Sequence, residues 1–290
     1  MVFKKFEDLT FTDDYMFWTV MTNYEEICTQ VAALCLGRKV RKIRYKEGQK
    51  TLQIMPDSKG IRLDVYLEDE EDTVYDFEMQ NVQKPFIGRR ARYYGSTMDI
   101  HSLSKGMDYE KLPDAYVVFL CMFDPFGAGR VVYEFEKREK VRTDIRLDDG
   151  STVILINPFG DDSGCPPEMK GFLSFLRGED GAAFAGIGAK IDTAIRKIKE
   201  HETWRTGYMK YEADMMDYRR DGYKEGREEG REEGRAEGKA EGKAEGWTQR
   251  ENAFINKLRQ MGMDEEFIKN ATSVSDVPTA YIPKEKENEV

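Results

Sequence analysis

Two short segments with opposite chemistry on alternate residues constrain the fold more than anything else in this chain. In Ile61-Arg62-Leu63-Asp64-Val65-Tyr66, continuing to Leu67 and Glu68, apolar and polar residues alternate with the period of a β-strand. In Tyr75-Asp76-Phe77-Glu78-Met79-Gln80 the same alternation returns after the acidic run Asp69-Glu70-Glu71-Asp72. The run reads as a turn, so the two segments are expected to pair as neighbouring strands. Ile61, Leu63, Val65 and Leu67 would then face a core with Tyr75, Phe77 and Met79, and Asp64, Asp76 and Glu78 would share the opposite surface. Carboxylates gathered on one surface repel unless a cation lies among them. The pattern therefore predicts the beginning of a metal site.

A basic, aromatic segment follows. After Pro85-Phe86, residues 87 to 100 read as a helix on which Arg90 and Tyr94 share one face and Arg89 and Tyr93 the next. Positive charge beside aromatic rings suits phosphate contacts and a stacked base.

In order and spacing, Leu63-Asp64-Val65-Tyr66, Asp76-Phe77-Glu78-Met79-Gln80 and Arg90-Ala91-Arg92-Tyr93-Tyr94 resemble the PD-(D/E)XK nuclease superfamily. The closer resemblance is to its recombination-promoting nuclease and transposase-like branch, which carries Glu-x-Gln where others have Glu-x-Lys. The opening Phe11-Thr12-Asp13-Asp14-Tyr15-Met16-Phe17 and the glycine-repeat C-terminus resemble that branch too. The resemblance implies an α/β fold, a restriction-endonuclease-like core with a central mixed sheet flanked by helices, here with a long C-terminal helical extension. It implies a Mg²⁺- or Mn²⁺-dependent endonuclease acting on DNA, with Asp64, Glu78 and Gln80 catalytic and with Asp64, Glu78 and the Met79 carbonyl as metal ligands. Glu26, Asp76 and Lys84 are expected as supporting groups, and Arg89, Arg90, Arg92 and Tyr94 as DNA contacts. Gln80 departs from the commoner superfamily pattern. An amide positions water by hydrogen bonding but brings no positive charge, and Lys84 is the nearest replacement in sequence. The literal Pro56-Asp57 pair precedes a turn-like Ser58-Lys59-Gly60 and lies farther from Glu78, so Asp64 is preferred as the ligand.

Charge narrows the partners. A formal net charge of -10 argues against a generally basic nucleic-acid binder, yet a local strip of Lys84, Arg89, Arg90 and Arg92 is enough for a DNA path. Cys28, Cys35, Cys121 and Cys165 show no paired ligand spacing and read as reduced thiols of a cytoplasmic protein, and His101 and His201 stand far apart. These residues support neither a zinc site nor a histidine-based triad. No stretch approaches a membrane span.

Along the chain the periodicity predicts one helix from Asp13 to Leu36 stopped at Gly37. Strands are expected around 42–45, 53–55, 115–122, 131–135 and 153–156, with a helix over 167–176. With the resemblance, residues 1–180 are expected to form a nuclease-like domain. Residues 181–221 read as an amphipathic helical region, with Ile187, Ile191, Ile195 and Ile198 continuing through Trp204 and Tyr208. Residues 222–247 are a tetrad repeat with glycine at every fourth place from Gly222 to Gly246. Each glycine costs a helix about 1 kcal/mol against alanine, so the repeat is either a charged spacer or a groove for a closely packed helix, through a second copy or a partner. Residues 248–290 read as a small helical hairpin and a disordered tail. Alternatives to the nuclease reading are a weak or inactive nuclease-fold DNA binder and a protein-interaction module working through its C-terminal helix.

Overall fold

The computed structural model describes residues 4–52, 61–179 and 186–272. The chain divides into two compact units, with the boundary between Ala213 and Asp214.

The first unit is built on a six-stranded mixed sheet. Helices α1 (Asp14–Asn23) and α2 (Glu25–Leu36) precede β1 (Ile43–Leu52), β2 (Ile61–Asp69) and β3 (Val74–Gln80). Helix α3 (Ile87–Ser102) then leads to β4 (Ala115–Cys121), β5 (Val132–Phe135) and β6 (Ser151–Ile156), followed by α4 (Pro167–Arg177) and α5 (Ile187–Glu200). The strand order is β1-β2-β3-β4-β6-β5. Strands β3, β4 and β6 run parallel at the centre, and β1, β2 and β5 join antiparallel at the sides. This is the mixed sheet flanked by helices that the resemblance implies. Central parallel strands are buried on both faces, and β4 shows it: Val118 and Leu120 enter one core, while Val117, Phe119 and Cys121 enter the other.

The first core joins the sheet to α1, α2, α4 and α5 through residues such as Met16, Phe17, Val31, Phe77, Phe172 and Ile191. The second, smaller core lies under α3 and contains Ile61, Leu63, Ala91, Met98 and Phe119. Cys28, Cys35 and Cys121 are buried free thiols, and Cys165 is half-buried and also free.

Three sequence expectations are corrected. The single helix over 13–36 is two, broken at Tyr24 (φ -120°, ψ 88°). There the Thr19 and Thr22 hydroxyls and the Asn23 amide bond back to the carbonyls of Tyr15, Trp18 and Thr19. Such side chains compete with the backbone ladder and favour helix ends. The separate strand at 42–45 is part of one long β1, and residues 53–60, including the Pro56-Asp57 pair, lie outside the described residues. Finally, the helical stripe from Ile187 does not run on unbroken. His201 (φ -101°, ψ 121°) ends α5, and α6 (Glu202–Gln260) begins afresh.

The second unit contains the rest of α6 from Asp214, with the whole glycine repeat in it, and α7 (Glu265–Thr272). Gly262 at φ 79° makes the turn between them, and Asp264 Oδ1 accepts the Phe267 N–H to cap α7. Among the described residues no helix is long and apolar enough to cross a membrane.

Candidate active site

The site forms where the β2–β3 ladder opens. Backbone pairing runs from Glu68–Val74 to Val65–Phe77 and stops. Beyond it, two side chains take the released amide groups: the Asp64 N–H donates to Glu78 Oε1 at 3.0 Å, and the Met79 N–H donates to Asp64 Oδ2 at 3.1 Å. On the other side of β2, pairing passes from Gly48–Val65 to Lys50–Leu63, leaving out Gln49 and Asp64. Gln49 sits at φ 56°, a left-handed conformation that costs a non-glycine residue roughly 1–2 kcal/mol. Gly48 beside it lets the Trp18 ring of α1 lie against the strand, since a Cβ there would stand 2.7 Å from that ring.

This distortion overturns the predicted alternation of β2. Ile61 and Leu63 bury in the core under α3, whereas Val65 and Leu67 bury in the opposite core. The strand changes face at Asp64, which brings its carboxylate to the mouth of the opened ladder. Strand β3 keeps its alternation: Tyr75, Phe77 and Met79 face the large core. Asp76, Glu78 and Gln80 face α3, in register with Val117, Phe119 and Cys121 of β4. Three polar side chains thus occupy a row that the neighbouring strand fills with apolar ones. All three are buried, with relative exposures of 0%, 3% and 6%.

Burying carboxylates without full pairing is costly, and the site shows the cost. Burial lifts Asp64 to about 7, helped by the Asp14 charge and opposed by the Met79 N–H and by Arg62 and Arg90. Burial and then the Asp64 charge hold Glu78 well above the usual carboxylate range, against the Asp64 N–H and Arg90. Asp76 is raised by burial and by the Glu78 and Asp64 charges, and neither of its oxygens has a hydrogen-bond partner among the described residues. A cation that reaches Glu78 is Arg90 of α3. Its Nη2 lies 3.6 Å from Glu78 Oε2 and 3.2 Å from the Tyr94 hydroxyl, and its Nη1 donates to Gln80 Oε1 at 2.8 Å.

The other predicted residues fall into two groups. Arg89 and Arg92 are exposed on α3, with Arg89 over the Phe86 ring at 5.0 Å. Lys84 is exposed, and its charge acts on Asp14 at the start of α1. Tyr94 is half-buried beside Arg90 rather than presented outward. Glu26 is held elsewhere: it is exposed and forms an ion pair with Lys190 of α5, which lowers its pKa. Asp14 was not singled out from the sequence.

Among the described residues no group of three or more His, Cys, Asp or Glu side chains is arranged to hold a metal by itself. The available set is two carboxylates, Asp64 and Glu78, with the Met79 carbonyl, which now accepts Gln80 Nε2 at 3.1 Å. These are oxygen donors only, suited to a hard ion such as Mg²⁺ that keeps several waters. Asp76, with both oxygens unpartnered among the described residues, is a further buried oxygen group beside them. The donor set fits.

A central mixed sheet flanked by helices, with an acidic site where two of its inner strands part, is consistent with the restriction-endonuclease-like class of fold. Residues 21–152 match the family described as PD-(D/E)XK nuclease family transposase, a stretch that includes all the site residues on β2, β3 and α3. The match supports a nuclease-type function. Phe11 to Phe17 and the glycine repeat, which looked similar to the same branch, lie outside the matched residues. No curated protein and no solved structure matches the chain.

Proposed function

We propose that this protein is a divalent-metal-dependent DNA endonuclease, with Asp64, Glu78 and the Met79 carbonyl as the ligands of Mg²⁺ or Mn²⁺. The observation that carries the reading is the reciprocal pairing of Asp64 and Glu78 at the opened ladder. It fixes two carboxylates side by side, Glu78 buried and Asp64 half-buried, where a cation would relieve the raised free energy of their charged forms. A bound ion would polarise the scissile phosphate and lower the pKa of a bound water. The chain's own residues do the rest. Asp64 and Glu78 are held by main-chain N–H groups rather than by flexible partners, so little reorganisation is needed on loading. The Gln80 amide, which now donates to the Met79 carbonyl, would orient a water by hydrogen bonding once that carbonyl is engaged. Arg89 and Arg92, exposed on the first two turns of α3, supply phosphate contacts along the approach to the site. The family match supports a recombination-promoting, mobile-element or phage-defence setting for this cleavage.

The test is incubation of the purified full chain with supercoiled plasmid DNA, in Mg²⁺ or in chelator, beside Asp64→Asn and Glu78→Gln. Nicking that needs the metal and is lost in both variants supports the reading. Intact DNA binding with no nicking in any preparation would favour an inactive nuclease-fold binder instead.

A further inference from the structure

We propose that Arg90 is a positioning residue that supplies, through Gln80 and Glu78, the positive charge a lysine at position 80 would bring to this site; the proposal rests on the nuclease reading above. Three arginines lie within four residues on α3, yet they do different things. Arg89 and Arg92 are exposed, whereas the Arg90 side chain is only 24% exposed and turns into the acidic row. Its guanidinium lies 5.6 Å from the Tyr94 ring and 5.7 Å from the Phe119 ring, and these rings hold its plane.

The contacts decide how Gln80 is oriented. Arg90 Nη1 donates to Gln80 Oε1 at 2.8 Å, and because a guanidinium carries donors only, the amide oxygen must face it. The Gln80 NH₂ group is thereby directed to the Met79 carbonyl at 3.1 Å and to Glu78 Oε2 at 3.5 Å. An amide held in this way can only donate toward the ligand group. Positive charge reaches the same ligand directly, because Arg90 Nη2 stands 3.6 Å from Glu78 Oε2. Helix α3 covers the face of β3 that carries Glu78 and Gln80, so a long side chain from its first turn reaches the spot that a strand lysine would occupy. Unlike lysine, arginine does not give up its proton at any ordinary pH. Its contribution is charge and orientation, with no proton transfer.

The test uses the full chain as Arg90→Gln, Arg90→Lys and the exchanged pair Gln80→Lys/Arg90→Gln. Each is measured for Mn²⁺ affinity by calorimetry at mildly alkaline pH and for Mg²⁺-dependent plasmid nicking. Removing a fixed positive charge beside a cation site should tighten Mn²⁺ binding about 3- to 10-fold in Arg90→Gln, while nicking falls about 100-fold. Arg90→Lys keeps the charge but not the two-point contact, so it should fall between the wild type and Arg90→Gln in both, and the exchanged pair should recover at least about a tenth of wild-type nicking by restoring the charge from the strand. Wild-type nicking in Arg90→Gln would overturn the proposal. So would loss of Mn²⁺ binding together with nicking in Arg90→Gln, which would mean that Arg90 only braces the fold. If the wild type does not nick at all, the nuclease reading fails, and the Mn²⁺ titration alone decides the role of Arg90: tighter binding upholds it, and unchanged or weaker binding overturns it.

Discussion

Asp64 and Glu78 are tied to each other through the backbone: the Asp64 N–H donates to Glu78 Oε1, and Asp64 Oδ2 accepts the N–H of Met79, the residue after Glu78. Each carboxylate is thus held by the strand that carries the other. The arrangement separates what the Asp64 side chain does for folding from what its charge does. Asparagine keeps an oxygen able to accept the Met79 N–H, whereas alanine leaves that donor unpaired. Asp64→Ala should therefore be less stable than Asp64→Asn by about 1–3 kcal/mol, the usual cost of an unsatisfied buried donor, in urea unfolding with chelator present. Asp64→Asn should match or exceed the wild type in that buffer, because it removes one of three neighbouring acids.

The pH dependence follows from the direction of the same shifts. Unfolded, Asp64 titrates near the ordinary value of about 3.9, and folded it titrates at about 7. Between these values the folded protein holds a proton that the unfolded chain has lost, so stability falls as pH rises through this window and levels off above it. Glu78 and Asp76, raised by burial, act in the same sense. In chelator, the melting temperature of the wild type should drop relative to Asp64→Asn between about pH 4 and pH 7. Mg²⁺, which favours the charged carboxylates, should raise the wild-type melting temperature more at pH 8 than at pH 5. A flat difference between the two proteins across this range would contradict the burial account.

The core sheet and the acidic pair were legible in the sequence because alternation on 75–80 and an acidic turn are local signals. The change of face at Asp64 was not. It depends on the left-handed Gln49 of the neighbouring strand and on Trp18 lying against Gly48, and nothing within residues 61–68 reports either. The inward turn of Arg90 was hidden for a similar reason. Helical spacing puts Arg90 with Tyr94 on one face, but only the packing of α3 over Glu78 and Phe119 tells that face from the exposed one of Arg89 and Arg92. Glu26 was a plausible acid by position, and its partner Lys190 lies 164 residues away in sequence.

DNA affinity should depend on the exposed arginines rather than on the site. Replacing Arg89 and Arg92 together by glutamine should weaken binding and reduce the slope of log affinity against log salt by roughly two, as for two lost phosphate contacts. Asp64→Asn should leave that slope unchanged. Fluorescence anisotropy of labelled duplex across a salt series measures both. An unaltered slope in the double variant would remove α3 from the DNA path.

Glycines in the two units should respond oppositely to alanine. A Cβ at Gly160 would lie 2.4 Å from the Arg130 carbonyl carbon and 2.5 Å from the Val131 nitrogen, main-chain atoms that cannot step aside. Gly160→Ala should cost about 1–3 kcal/mol, the range for overpacking. Gly230 and Gly238 in α6 have no such neighbour within 4 Å. Alanine at these two positions should favour the helix by about 1 kcal/mol each and increase the helical circular dichroism signal. A loss of helicity there would mean that the glycines are needed for close packing against another chain.

The most direct test of the central claim is anomalous diffraction from crystals of the full chain grown or soaked with Mn²⁺. The account predicts a manganese peak bounded by the Asp64 and Glu78 carboxylates and the Met79 carbonyl oxygen, with the Gln80 amide turned from that carbonyl toward a bound water. Manganese at other residues, or none at all while Asp64 and Glu78 remain paired as they are here, would contradict it.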